Sequence, residues 1–172
     1  LGSSNIFAVY FAGPSLVAGE TTLAAVEANN LDSGNRMIGN IVHSEHVGDG
    51  VSFSLQKDGI MANNEIFGTR IAFYLSRDSI CERNYVQDSS SHGIYLSLPS
   101  YDNAIRENII LNPVASGIQI GPQVEHPIPS THRSSGMRIE DNIIEGSHFM
   151  GMIIEQLLDS SFHGNQIIDS DF

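Results

Sequence analysis

The chain reads as an all-β coil of short strands stacked in parallel, and three observations predict it. Asparagine recurs at 40, 64, 84, 108, 142 and 165, at intervals of 24, 20, 24, 34 and 23. Apolar residues keep fixed offsets from those asparagines: Met37, Met61, Cys81, Ile105, Ile139 and Phe162 three before, and Val42, Ile66, Val86, Ile110, Ile144 and Ile167 two after. From Asn35 onward no segment sustains the 3.6-residue period of a helix. Units this short cannot bury an apolar face alone, so they stack on their neighbours and lay like side chains over like.

Taken in order, residues 1–34 fit the repeat poorly and read as an N-terminal capping segment or irregular first rung. Within them Ile6 to Phe11 is a strand candidate. Glu20 to Asn30 is a short-helix candidate with Thr21 or Thr22 near its start, placed to cover the open end of the coil. Residues 35–172 form the coil itself. After each asparagine corner a second apolar pair follows: Val51/Phe53, Ile71/Phe73, Ile94/Leu96, Ile118/Ile120 and Met152/Ile154. The spacing of two turns one strand face inward. An inward asparagine at a corner can exchange hydrogen bonds with the asparagine or backbone one rung away. Gly50, Gly93, Gly117 and Gly151 mark the other corner, where close backbone approach or a positive φ favours glycine. The long interval before Asn142 holds a loop insertion at 121–134, stiffened by Pro122, Pro127 and Pro129. Loops on a rigid scaffold often carry function. The far end stops midway through a sixth rung, and the start, lacking a Met and a signal-peptide pattern, reads as an excerpt of a longer product.

The run Asp102-Asn103-Ala104-Ile105-Arg106-Glu107-Asn108-Ile109-Ile110, followed by Ser116-Gly117-Ile118-Gln119-Ile120, resembles the repeat of the right-handed parallel β-helix superfamily. That superfamily includes pectate lyases, polygalacturonases, mannuronan epimerases, inulin fructotransferases and phage tailspikes. The resemblance spans 35–172 and implies a right-handed parallel β-helix of about six rungs. It also implies a carbohydrate-active protein working on a polysaccharide or oligosaccharide by lyase, epimerase or hydrolase chemistry, in an extracellular or periplasmic setting. The alternative is a non-catalytic module for glycan binding or assembly, since one coil hosts many functions. His92-Gly93 resembles the His-Gly pair of polygalacturonases. Their Asn-Thr-Asp and Arg-Ile-Lys signatures, and the Asp-Pro-His of mannuronan epimerases, are absent.

Composition narrows the partner. A net charge of −12, from 8 Lys+Arg against 20 Asp+Glu, argues against nucleic acid and anionic membranes. No apolar run approaches the length of a membrane span. The single cysteine, Cys81, excludes an intramolecular disulfide framework and any multi-cysteine metal site, and its inward column reads as packing. No loop has a calcium ligand spacing, although some relatives hold Ca²⁺, so no cofactor and no metal site are expected.

Corner length is the local clue to a site. From the asparagine to the glycine position the corner spans 10 residues in the first rung, 9 in the third, fourth and fifth, and 6 in the second, where Arg70 replaces glycine. An indented second rung would leave a notch roughly 9.6 Å wide with Arg70 near its floor. One wall carries Glu45, His46 and Asp49, and the other carries Asp88 and His92. Asp49 or Asp88 is the candidate acid/base and His92 its partner; Arg70 would orient a hydroxyl or neutralise a uronate. A second, outward constellation places Tyr74 and Tyr95 in related positions on successive rungs, near Ser52, Gln119 and Glu155. Aromatic faces beside polar groups suit the C–H faces and hydroxyl edges of a neutral glycan, so Tyr74, Tyr95, Gln119 and Glu45 are substrate-binding candidates. Glu82-Arg83, Arg106-Glu107 and Glu140-Asp141 suggest a surface ion-pair ladder. The outward apolar residues Phe67, Tyr85, Ile109, Leu111 and Ile168 suggest a homo-oligomer interface.

Overall fold

A computed structural model describes residues 9–12, 31–44, 49–97, 99–121 and 133–171. Of the strand expected over Ile6 to Phe11, the described part falls in the strand Val9–Ala12, and residues 6–8 lie outside the described residues. The helix expected over Glu20 to Asn30 lies outside the described residues. Among the described residues every element is a strand, and no helix is long and apolar enough to cross a membrane.

Three six-stranded parallel sheets wind into a right-handed β-helix. The first contains Val9–Ala12, Asp49–Ser54, Arg70–Tyr74, Ile94–Ser97, Ile118–Gly121 and Met152–Ile154. The second contains Arg36–Ile38, Ile60–Ala62, Ile80–Glu82, Ala104–Arg106, Arg138–Glu140 and Ser161–His163. The third contains Ile41–His43, Glu65–Phe67, Tyr85–Gln87, Ile109–Leu111, Ile143–Glu145 and Gln166–Ile168. Two short pairs, Asp32–Ser33 with Gln56–Lys57 and Ser134–Ser135 with Leu157–Leu158, complete the walls. Sequence reading found two strands per rung; the structure has three, because the residues flanking each asparagine belong to different sheets.

Register aligns the inward columns residue on residue. Met61 faces Met37 and Cys81, Ile110 faces Val86 and Ile144, and Ile94 faces Ile71 and Ile118. These side chains fuse into one core running the length of the coil. The asparagines between the second and third sheets are tied rung to rung. Asn84 Nδ2 donates to Asn108 Oδ1 at 3.0 Å and to Met61 O at 2.9 Å, and Asn108 Nδ2 donates to Asn142 Oδ1 at 2.9 Å and to Cys81 O at 3.0 Å. Each Oδ1 also accepts a backbone N–H of the rung before, as Asn108 Oδ1 does from Asn84 N at 3.0 Å. Buried corner groups thereby find partners that water cannot supply.

The residue before each of these asparagines is left-handed: Gly39, Asn63, Arg83, Glu107, Asp141 and Gly164. The expected glycine corner works by close approach instead of by positive φ. A Cβ on Gly93 would overlap Ile110 Cγ2 and stand 2.8 Å from Gly117 O, so only a hydrogen lets the chain pass. The ion-pair ladder is built around a buried acid. Glu82 accepts from Arg106 Nε at 2.8 Å and pairs with Arg83, whose Nη1 lies 3.6 Å from Glu107.

Candidate functional site

Arg70 is the hub. It opens the strand Arg70–Tyr74 after a corner of only two residues, 68 and 69, whereas the corners leading into Ile94, Ile118 and Met152 each hold six. The short corner sets the guanidinium beside the longer corner of the next rung, where Arg70 Nη1 donates to Ser91 Oγ at 3.3 Å. Its Nη2 donates to Tyr74 OH at 3.1 Å. Its Cζ stands 4.9 Å from the centroid of the Tyr95 ring, a cation–π contact that typically contributes about 0.5–2 kcal/mol. The side chain expected on the notch floor thus reaches the wall formed by the next rung.

The two constellations read separately from the sequence merge here. Tyr74 and Tyr95 meet edge to face with centroids 5.7 Å apart, and His92 stacks on Tyr95 at 6.0 Å. They do not share a column. Tyr95 lies beside Ala72 and Gln119, while Tyr74 lies beside Ser54. The small Ala72 lies beside the Tyr95 ring, which is only 5% exposed and is met by Tyr74, His92 and the Arg70 guanidinium. It supports the site from beneath, leaving the half-buried Tyr74 as the more accessible aromatic face.

His92 is held in one state. Its Nδ1 accepts from Ser116 N at 3.3 Å. Burial first, and the Arg70 charge second, lower its pKa from 6.5 to about 4. At neutral pH the imidazole is uncharged with its proton on Nε2, a donor to a hydroxyl oxygen. Its backbone is fixed as well, the carbonyl accepting from Ser89 Oγ at 2.6 Å.

Asp49 is the in-register partner of Arg70 on the neighbouring first-sheet strand. Glu45 and His46 lie outside the described residues, as does 122–132 of the predicted loop. Asp88 is engaged within its own corner and by the next rung. It occupies a left-handed corner shared by Gly68, Asp88, Asn112, Gly146 and Asp169, and its carboxylate accepts from Gln87 Nε2 at 3.0 Å and Asn112 Nδ2 at 3.1 Å. Recurrent Gly, Asp and Asn at one offset was a readable turn signal, since these residues tolerate that backbone region. Gln119 stands next to Tyr95 in its column, and Tyr95 OH donates to Gly121 O at 3.4 Å. The hold of Ser116 on His92 left no trace in the repeat. Cys81 is buried, burial pushes its thiol pKa well up, and its Sγ lies 3.5 Å from Asn84 Nδ2. Among the described residues no three His, Cys, Asp or Glu side chains are grouped to hold a metal ion.

Several known proteins share this architecture. The periplasmic alginate epimerase AlgG matches with a TM-score of 0.52 and 17% identity, over 79% of this chain and 39% of that one. The catalytic unit of a thermostable GH87 alpha-1,3-glucanase from Streptomyces thermodiastaticus matches with a TM-score of 0.60 and 14% identity, over 99% of this chain and 41% of that one. The chain thus spans about two-fifths of the length of both neighbours, and likenesses this distant establish the coil alone. No curated protein matches by sequence. A sequence family described as periplasmic copper-binding protein, NosD, matches residues 17–171. Because that match takes in nearly the whole coil, the chain belongs to the NosD family of right-handed β-helix proteins.

Proposed function

We propose that the chain acts on a polysaccharide or oligosaccharide laid along the outer face of its first sheet, over Arg70, Tyr74, His92 and Gln119. The observation that carries this reading is the packed cluster of one guanidinium, two tyrosines and one neutral imidazole on that face. Arg70 and His92 Nε2–H offer donors to hydroxyl or carboxylate oxygens, and Tyr74 offers an aromatic face to sugar C–H groups. The two solved neighbours, an alginate epimerase and an alpha-1,3-glucanase, both act on polysaccharides and add support. A neutral or mildly acidic glycan suits the net charge of −12 better than nucleic acid or an anionic membrane does. The family description and the epimerase favour an extracytoplasmic setting.

For lyase, epimerase or hydrolase chemistry, Asp49 beside Arg70 is the acid/base candidate, with Glu45 and His46 just before it in the chain. His92 donates a hydrogen bond and does not accept a proton at Nε2. A non-catalytic glycan-binding module is the second reading, favoured by Asp88, whose carboxylate turns to Gln87 and Asn112. Under it, the outer face of the third sheet, with Phe67, Tyr85, Ile109, Leu111 and Ile168, would join copies of the chain. Light scattering after size exclusion tests that association.

Copper, named in the family description, does not fit the described residues. The Cys81 thiol is buried beside Asn84 and Asn108, His92 Nδ1 is engaged by Ser116 N, and the His43 ring stacks on Phe67. No step of the proposed chemistry passes through it, and none requires Ca²⁺.

Incubation with a polysaccharide panel tests the proposal, read by unsaturated-uronate absorbance, by reducing ends and by calorimetric binding. At least one glycan binds or is converted, and Arg70→Ala weakens it tenfold or more. A panel without a hit, or a hit indifferent to Arg70→Ala and Tyr74→Ala, contradicts the proposal.

A further inference from the structure

We propose that Glu155 sets the specificity of this face, rejecting glycans that carry a carboxylate on every sugar and admitting neutral ones. The inference rests on the reading of the first sheet's outer face given above.

Glu155 follows the strand Met152–Ile154, and its N–H donates to Ile120 O at 2.9 Å, which extends that sheet by one residue. It therefore continues the outward column that holds Tyr74, Ser97 and Gly121. Its carboxylate leans back over Gly121: a Cβ added there would stand 2.6 Å from Glu155 Oε2 and 3.5 Å from Gln119 Nε2. The Gly121 carbonyl also receives Tyr95 OH at 3.4 Å. Carboxylate, amide and phenol thus converge on one backbone position, from three successive strands. Glu155 is exposed, and among the described residues no arginine or lysine pairs with it.

Arg70 and Glu155 stand three strand spacings apart along the coil axis, about 14 Å. Glu155 lies in register with Tyr74, so a glycan held where the Arg70 guanidinium meets Tyr74 OH, and running along the coil axis, places a later sugar against Glu155. Sugar hydroxyls donate to its carboxylate and accept from Gln119 Nε2. A polyuronate instead brings a second carboxylate to within hydrogen-bonding range, where like charges repel. Arg70 can accept an acidic unit at one end of the face, and Glu155 disfavours one at the other. A chain with acid on every sugar meets both.

The test pairs the neutral oligosaccharide that binds best in the panel with its C6-oxidised counterpart, which carries a carboxylate on every sugar. Calorimetry gives the two affinities. The native protein prefers the neutral partner. Glu155→Gln raises the oxidised-to-neutral affinity ratio about fourfold at low salt, the size expected of one charge pair about 5 Å apart in water. That gain fades at about 0.5 M salt, where screening reaches inside such a distance. Gly121→Ala, whose Cβ displaces the Glu155 carboxylate without touching its charge, moves the ratio the same way. An unchanged ratio in both variants, or a native preference for the oxidised chain, overturns the inference and leaves the glycan-binding reading standing. Failure of every neutral and oxidised oligosaccharide to bind overturns that reading itself.

Discussion

The two faces of the first sheet obey different rules. Inside, Val51, Ile71, Ile94, Ile118 and Met152 are stacked variations on one apolar theme, and each means little without its neighbours. On the outward side, the column Ser52, Ala72, Tyr95, Gln119 and Ile153 changes character at every rung, and of these Gln119 and Ile153 are half-buried while Ser52, Ala72 and Tyr95 are covered. Repetition is what a coil needs to close its core, because identical spacing lets one side chain fit over the next. Departure from repetition is what a site needs, because a ligand must find unlike groups side by side. Arg70 is the plainest departure, a charged residue in register with the glycine corner of the next rung.

The largest effects should come from breaking the inner face. Ile94→Ala or Ile118→Ala, both fully buried, should cost about 2–5 kcal/mol in denaturant unfolding, from lost transfer energy and an unfilled cavity. Asn108→Ala should cost about 2–3 kcal/mol, since Asn84 N, Asn84 Nδ2 and Cys81 O all lose a buried partner. Glycan binding should fall only as the folded fraction falls. The outer face should show the reverse. Arg70→Ala should lower glycan affinity tenfold or more per folded molecule and cost about 2–4 kcal/mol of stability, the sum of one cation–π contact and two hydrogen bonds. An Arg70→Ala variant that unfolds while binding normally per folded molecule would erase the distinction.

A subtler test uses pH. The His92 imidazole should titrate near 4 by NMR, and Arg70→Ala should raise that midpoint, since the Arg70 charge is the second cause of the depression after burial. With the folded pKa below the unfolded 6.5, the unfolded chain binds the extra proton between the two values. Stability from His92 is therefore complete above pH 6.5 and is lost as pH falls through about 4. The smallest effect belongs to positions with less cover. Ile109, outward on the third sheet and 39% exposed, should tolerate alanine far better than the fully buried Ile110 beside it.

This contrast also explains what could be read from the sequence. The asparagine spacing and the apolar offsets exposed the coil, because the physics of stacking demands the same residue class at the same place in every turn. The short corner before Arg70 exposed a departure from that rule. What escaped was lateral reach: Arg70 extending over Tyr95, the Ser116 N–H pinning His92, and Glu155 folding back over Gly121 all join groups from different rungs, and no period encodes them. Asp88 carries two readings at once: an aspartate in a corner looks like an acid facing a ligand, and its column of Gly, Asp and Asn is also a left-handed turn.

The central claim, that ligand chemistry sits on the outer face of the first sheet, is tested most directly by titrating the panel's best glycan into ¹⁵N-labelled protein. Amide shifts should move at Arg70–Tyr74, His92–Ser97 and Ile118–Gly121 and stay still across the third sheet at Tyr85–Gln87 and Ile109–Leu111. Shifts confined to the third sheet, or none at saturating glycan, would contradict it.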